Sequence, residues 1–189
     1  MQNTAAVSQL SLFKASEPPA VEQVFKKPNA RPAHTWAFRV ELPMVREPKA
    51  DANGRAIAAR TPESIAAQCE DLAQSAQEAF CAFDLNSKNN IIDRRLVTLG
   101  ILDASLVAPR ECFRGAILNS AAAVVFVHSH PSGDPTPSAE DVRITRQLIQ
   151  AGQILGIKVL DHVVIGRLSP DRVKGHCSMR EAGLVEFEG

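Results

Sequence analysis

The clearest chemical signal in the chain is a stretch of fourteen residues: His128-Ser129-His130-Pro131-Ser132-Gly133-Asp134-Pro135-Thr136-Pro137-Ser138-Ala139-Glu140-Asp141. It follows directly on the longest apolar run, Ala121 to Val127, which reads as a strand covered on both faces. Side chains alternate along a strand, so imidazoles two residues apart point the same way. Pro131 stops the strand and turns the chain. Ser138 is a suitable helix cap, and Asp141 then falls on the third helical position, where its carboxylate can turn back toward the loop. Two imidazoles and one carboxylate make a three-ligand metal site with one position open. That is the catalytic type of zinc site, not the closed structural type. Two unpaired imidazoles buried at a strand end would be costly, and the strand ends of α/β folds form pockets. The same ligand types also accommodate iron.

Other histidine chemistries fit less well. A dinuclear H-x-H-x-D-H site needs Asp and His at 132 and 133, where this chain has Ser and Gly. The zinc-deaminase P-C-x-x-C is absent, as is H-E-x-x-H. The four cysteines at 69, 81, 112 and 177 form no C-x-x-C pair and read as small buried apolar residues of a reducing compartment. Further on, Asp161-His162 falls in a second apolar run. Asp161 is expected to share a face with Ile157, Val159, Val163 and Ile165, and either residue could hold a metal-bound imidazole from behind. Gly133 suits a positive φ, and Asp134 a turn. His34 and His176 lie in weakly patterned segments and read as surface residues.

His128-x-His130-Pro131, six residues, then Ser138-x-x-Asp141 resembles the JAMM motif of the JAMM/MPN+ metalloproteases. With PRECFRGAIL before it and AGQILGIKVLDHVVIG after it, the stretch resembles the RadC-like (JAB) branch, over roughly Thr61 to Gly183. The resemblance implies an α/β sandwich of cytidine-deaminase-like architecture with one catalytic zinc held by His128, His130 and Asp141. It implies hydrolysis of an amide in a peptide or protein substrate, by attack of a water that the zinc activates. Glu78, at the start of an earlier strand, matches the family's general base, with Glu111 as the rival. Ser138 matches the family's serine that steadies the oxyanion. Members of the branch usually carry an N-terminal helix-hairpin-helix region, and residues 1–60 do not resemble one. The alternative is an accessory module of DNA repair or mobile-element biology, its metal structural or vestigial.

These residues need a scaffold. Thr61-Pro62-Glu63 starts a helix whose apolar positions Ile65, Cys69, Leu72 and Ala76 carry it to about Gln77. Ala79 to Leu85 and Ile91 to Leu99, joined by a polar turn, read as a hairpin. Pro109 to Ser120 reads as a helix, Ser138 caps another running to about Leu155, and Ile157 to Ile165 is a last long strand. The expected fold is α/β, a mixed sheet sandwiched by helices. Trp36, Phe38, Val40 and Leu42 alternate as in a strand, and Pro48 to Arg60 reads as a turn and loop. The domains are thus a flexible arm over 1–35, a strand and linker over 36–60, and the domain proper over 61–189.

Composition narrows the partners. The chain has 189 residues, with 21 Lys and Arg against 21 Asp and Glu. The zero is a sum of +4 over residues 1–60 and −4 over residues 61–189. Direct nucleic-acid binding is therefore disfavoured, since phosphate contacts need clustered cations. No apolar run is long enough to span a bilayer and no export signal opens the chain, so a cytoplasmic location is expected.

Overall fold

A computed structural model describes residues 47–100, 107–170 and 172–187. The expected arm and the strand at 36–42 lie outside the described residues. The expected turn forms, with Gly54 N donating to Asp51 O at 3.0 Å. Its flanks cover the start of the neighbouring strand, where Ile91 N donates to Ile57 O at 2.8 Å.

Thr61 caps α1 (Pro62–Ala66) in a reciprocal box with Ser64, at 3.3 and 3.2 Å. The helix expected to reach Gln77 breaks here, and a separate α2 (Glu70–Ala73) follows. The break has a tertiary cause. Arg94 donates to Gln68 O at 2.8 Å and grips the Asp71 carboxylate with two further bonds of 2.8 Å. A continuous helix would bond Gln68 O to Leu72 N, which instead donates to Cys69 O at 2.9 Å. The apolar stripe Ile65, Cys69 and Leu72 stays buried through the break, whereas Ala76 is exposed.

Then come β1 (Ala79–Leu85), β2 (Ile91–Leu99), α3 (Pro109–Leu118), β3 (Ala123–Ser129), α4 (Ala139–Leu155), β4 (Lys158–Ile165) and β5 (His176–Ser178). One mixed sheet runs in the order β2-β1-β3-β4-β5, parallel only between β3 and β4. On one face α3 and α4 cover Phe80, Val124, Phe126 and Val159. On the other, α1 and α2 cover Cys81, Phe83, Val125, Val127, Val163 and Ile165. This is the expected sandwich. Each fully buried aromatic contributes roughly 1.5–3 kcal/mol. Asp84, fully buried in β1, takes two bonds of 2.7 Å from Arg95 and one of 2.6 Å from Asn119. Arg95 also donates to Cys112 O at 2.9 Å, which ties β2 to α3. β5 has three residues, too short for a periodic signal, and it places His176 in a strand rather than on the open surface.

One irregularity decides where the site's neighbours point. Val159 pairs with Val124, but Asp161 pairs with Val125, so Leu160 is an extra residue in β4. Alternation inverts across this bulge. Ile157 and Val159 pack toward α3 and α4, and Val163 and Ile165 toward α1 and α2. The expectation of one shared face for these residues fails for this reason. Without the bulge His162 would lie on the face away from His128. Among the described residues no helix is long and apolar enough to cross a membrane.

Candidate metal centre

His128 and His130 leave the C-terminal end of β3, and α4 brings Asp141 opposite them. The donor atoms of the three residues lie within 4.8 Å of one another. His128 Nε2 is 2.9 Å from His130 Nε2 and 3.2 Å from Asp141 Oδ1, and His130 Nε2 is 3.5 Å from Asp141 Oδ2. A tetrahedral ion with bonds of about 2.0–2.1 Å keeps its donors about 3.3–3.4 Å apart. The triad fits such an ion.

The donor chemistry agrees. His130 Nδ1 is 2.6 Å from Asp134 O, an acceptor only, so in the neutral ring Nδ1 carries the hydrogen and Nε2 presents a lone pair. His128 and Asp141 are both buried. Burial works to raise the Asp141 carboxyl, but the imidazoles of His128 and His130 and the Ser138 hydroxyl hold it well below the usual carboxylate range. The bond to Asp141 raises the His130 imidazole above its ordinary 6.5, and the charge of Glu78 adds to the effect. A carboxylate and an imidazole lone pair converge at a point that calls for a cation.

The loop between β3 and α4 is clamped from outside. Gly133 has φ +82, as the sequence suggests, and its carbonyl accepts from Arg167 N at 2.8 Å and Arg172 Nη1 at 2.7 Å. Arg167 also donates to Pro131 O. Asp134 is the expected turn former, accepting from Thr136 N at 3.0 Å and Thr136 Oγ1 at 2.7 Å. The sequence did not signal that its backbone carbonyl orients His130. It did not signal the clamp either, since Arg167 and Arg172 lie in a segment without pattern.

Behind His128, Nδ1 meets His162 Nε2 at 2.9 Å, and His162 Nδ1 meets Thr145 Oγ1 at 2.5 Å. Burial holds the His162 imidazole well below its ordinary range, so the ring is neutral. Of the two residues expected to back an imidazole, only His162 does so. Asp161 points to the other face, where it accepts from Ser178 Oγ at 2.6 Å and Arg180 N at 3.1 Å and joins β4 to the β5 segment. Thr145 was missed, although it lies one helical turn after Asp141.

Glu78 stands just before β1, half-buried. The antiparallel register pairs Phe80, two residues on, with His128, and the charge of Glu78 acts on the His130 imidazole. Glu111 instead pairs with Arg114 at 3.3 Å and Arg110 at 3.4 Å on α3. Ser138 is the expected cap: its Oγ accepts from Asp141 N at 3.1 Å, while its hydrogen goes to Asp141 Oδ2 at 2.7 Å. Burial pushes the thiols of Cys69 and Cys112 up to about 12, which suits packing and not ligation.

Comparison with known proteins agrees with this geometry. The family model of the RadC-like JAB domain matches residues 59–184. A UPF0758 protein of Geobacillus sp. strain WCH70 is 50% identical over 134 residues, which cover 70% of this chain and 56% of that protein. A UPF0758 protein of Symbiobacterium thermophilum is 54% identical over 108 residues, covering 57% and 44% respectively. One of Caldanaerobacter subterraneus is 48% identical over 119 residues, covering 63% and 48%. The chain spans about half the length of the curated relatives it matches. A matched segment that holds every element from α1 to β5, with His128, His130 and Asp141 brought together inside it, makes this chain a member of the RadC-like JAB domain family.

Proposed function

We propose that the chain is a zinc-dependent metallohydrolase that cleaves an amide bond in a peptide or protein. The observation that carries this reading is the meeting of His128, His130 and Asp141 at one strand end, with the charge of Glu78 acting on His130. A zinc held there supplies a Lewis acid and lowers the pKa of water toward about 7. Glu78 takes a proton from the water as its oxygen attacks the carbonyl carbon, and returns it to the nitrogen as the C–N bond breaks. The products are a carboxylic acid and an amine. Ser138 steadies the tetrahedral oxyanion with its hydroxyl hydrogen, which turns from Asp141 Oδ2 to do so.

The test is Glu78→Gln. The variant should keep its metal and lose hydrolysis, so a comparison of cell proteomes with wild type and variant should reveal uncleaved substrates in the variant. Equal cleavage by both would remove Glu78 from the role. A proteome that no form of the protein alters would favour the accessory-module reading.

A further inference from the structure

We infer that Thr145, acting through His162, sets the tautomer of His128 and so prepares the metal site before any ion arrives; this rests on the metal-site reading above. The carbonyl at the far end of the sequence of bonds, an acceptor only, points to one assignment of hydrogens. Thr145 Oγ1 has a single hydrogen, and Asp141 O, 2.6 Å away and one turn back on α4, can only accept, whereas His162 Nδ1 can also donate, so the hydrogen goes to Asp141 O. Met179 Sδ, at 3.3 Å, is farther and a weaker acceptor. With its hydrogen committed, Thr145 Oγ1 faces His162 Nδ1 as an acceptor, so Nδ1 carries the hydrogen of that ring. His162 Nε2 is then a lone pair and takes the hydrogen of His128 Nδ1. His128 Nε2 is left as a lone pair aimed at Asp141 and His130.

The chain of bonds closes on itself. It starts at one ligand, His128, and ends on the backbone carbonyl of another, Asp141. Two ligands are thus fixed relative to each other through side chains that never touch the ion. The surroundings keep the circuit dry: His128, His162 and Thr145 are fully buried, and Phe80 packs against both rings. A dry, fixed tautomer removes a reorganisation that ion binding would otherwise require. The Leu160 bulge is what makes it reachable, because it turns His162 to the His128 side of the sheet. Thr145 and His162 are positioning residues.

Thr145→Val keeps the shape and deletes the hydroxyl. Its His162 Nδ1–H would be stranded in the core, so the ring shifts its hydrogen to Nε2 and meets His128 Nδ1–H head-on. His128 must then carry its hydrogen on Nε2, where it points at the metal position. The expected result is zinc affinity lower by about 10–100-fold in chelator competition. Thr145→Ser, which restores the hydroxyl, should return close to wild type. Imidazole nitrogen NMR of metal-free protein should show His128 protonated on Nδ1 in wild type and Thr145→Ser, and on Nε2 in Thr145→Val. His162→Gln, with an amide oxygen for His128 and an amide hydrogen for Thr145, should hold zinc better than His162→Leu.

A wild-type His128 protonated on Nε2 would overturn the inference. So would Thr145→Val with unchanged affinity and tautomer, or Thr145→Ser as weak as Thr145→Val. A wild type that takes up no zinc would sink the metal-site reading, while the metal-free tautomers would still decide the wiring.

Discussion

Gly166 follows β4 directly, and no side chain fits there. A Cβ built on it lies 2.3 Å from Gly133 O, 2.7 Å from Pro135 Cδ and 2.8 Å from Pro135 N. Two of these three atoms are backbone, so no rotamer change relieves the clash. Gly166→Ala must therefore push the loop at 133–135 outward by roughly 1 Å to reach an ordinary contact. That displacement is large against the bonds the loop makes. Asp134 O sits 2.6 Å from His130 Nδ1, and a shift of that size takes the pair beyond hydrogen-bonding distance. Gly133 O would also part from Arg167 N and Arg172 Nη1. Overpacking of this kind costs about 1–3 kcal/mol. For a domain of this size the melting temperature should fall by about 2–12 °C. Zinc affinity should fall about 10-fold or more, since His130 loses the bond that orients it. Differential scanning calorimetry of the metal-free variant and zinc competition on the same samples read both effects. A variant that melts and binds zinc like wild type would show that the loop position does not govern the ligand.

Two further outcomes follow from the described contacts. Arg95→Ala strips the fully buried Asp84 of its cation and leaves Cys112 O without that donor; it should cost about 3–5 kcal/mol in urea unfolding, and a loss under about 1 kcal/mol would contradict the pairing. Metal-free protein should be most stable from about pH 4 to 6.5. The lowered Asp141 carboxyl stabilises above its ordinary 3.8 and that contribution is lost as pH falls through its folded value. The raised His130 imidazole stabilises fully below 6.5 and that contribution is lost as pH rises through its folded value. A metal-free melting temperature that keeps climbing from pH 6.5 to 8.5 would contradict the His130 assignment.

Much of the site was legible because its signals are local. The strand before His128, the Pro131 stop and the Ser138 cap each act within a few residues, and α4 runs from Ala139 to Leu155 as its cap and periodicity suggest. What could not be read depends on partners distant in sequence. The helix from Pro62 breaks because Arg94, on β2, captures Gln68 O. The face of Asp161 and His162 depends on a bulge that strand alternation alone cannot announce, since Leu160 is as apolar as its neighbours. The orientation of His130 comes from a backbone carbonyl, a group that every residue carries and no sequence pattern marks.

In the proposed enzyme His128, His130 and Asp141 together hold one metal ion. Elemental analysis of purified protein, beside the His128→Ala, His130→Ala double variant, tests it most directly. Wild type should carry close to one zinc per chain and the double variant none. Wild type without metal, or a double variant that retains it, would contradict the claim.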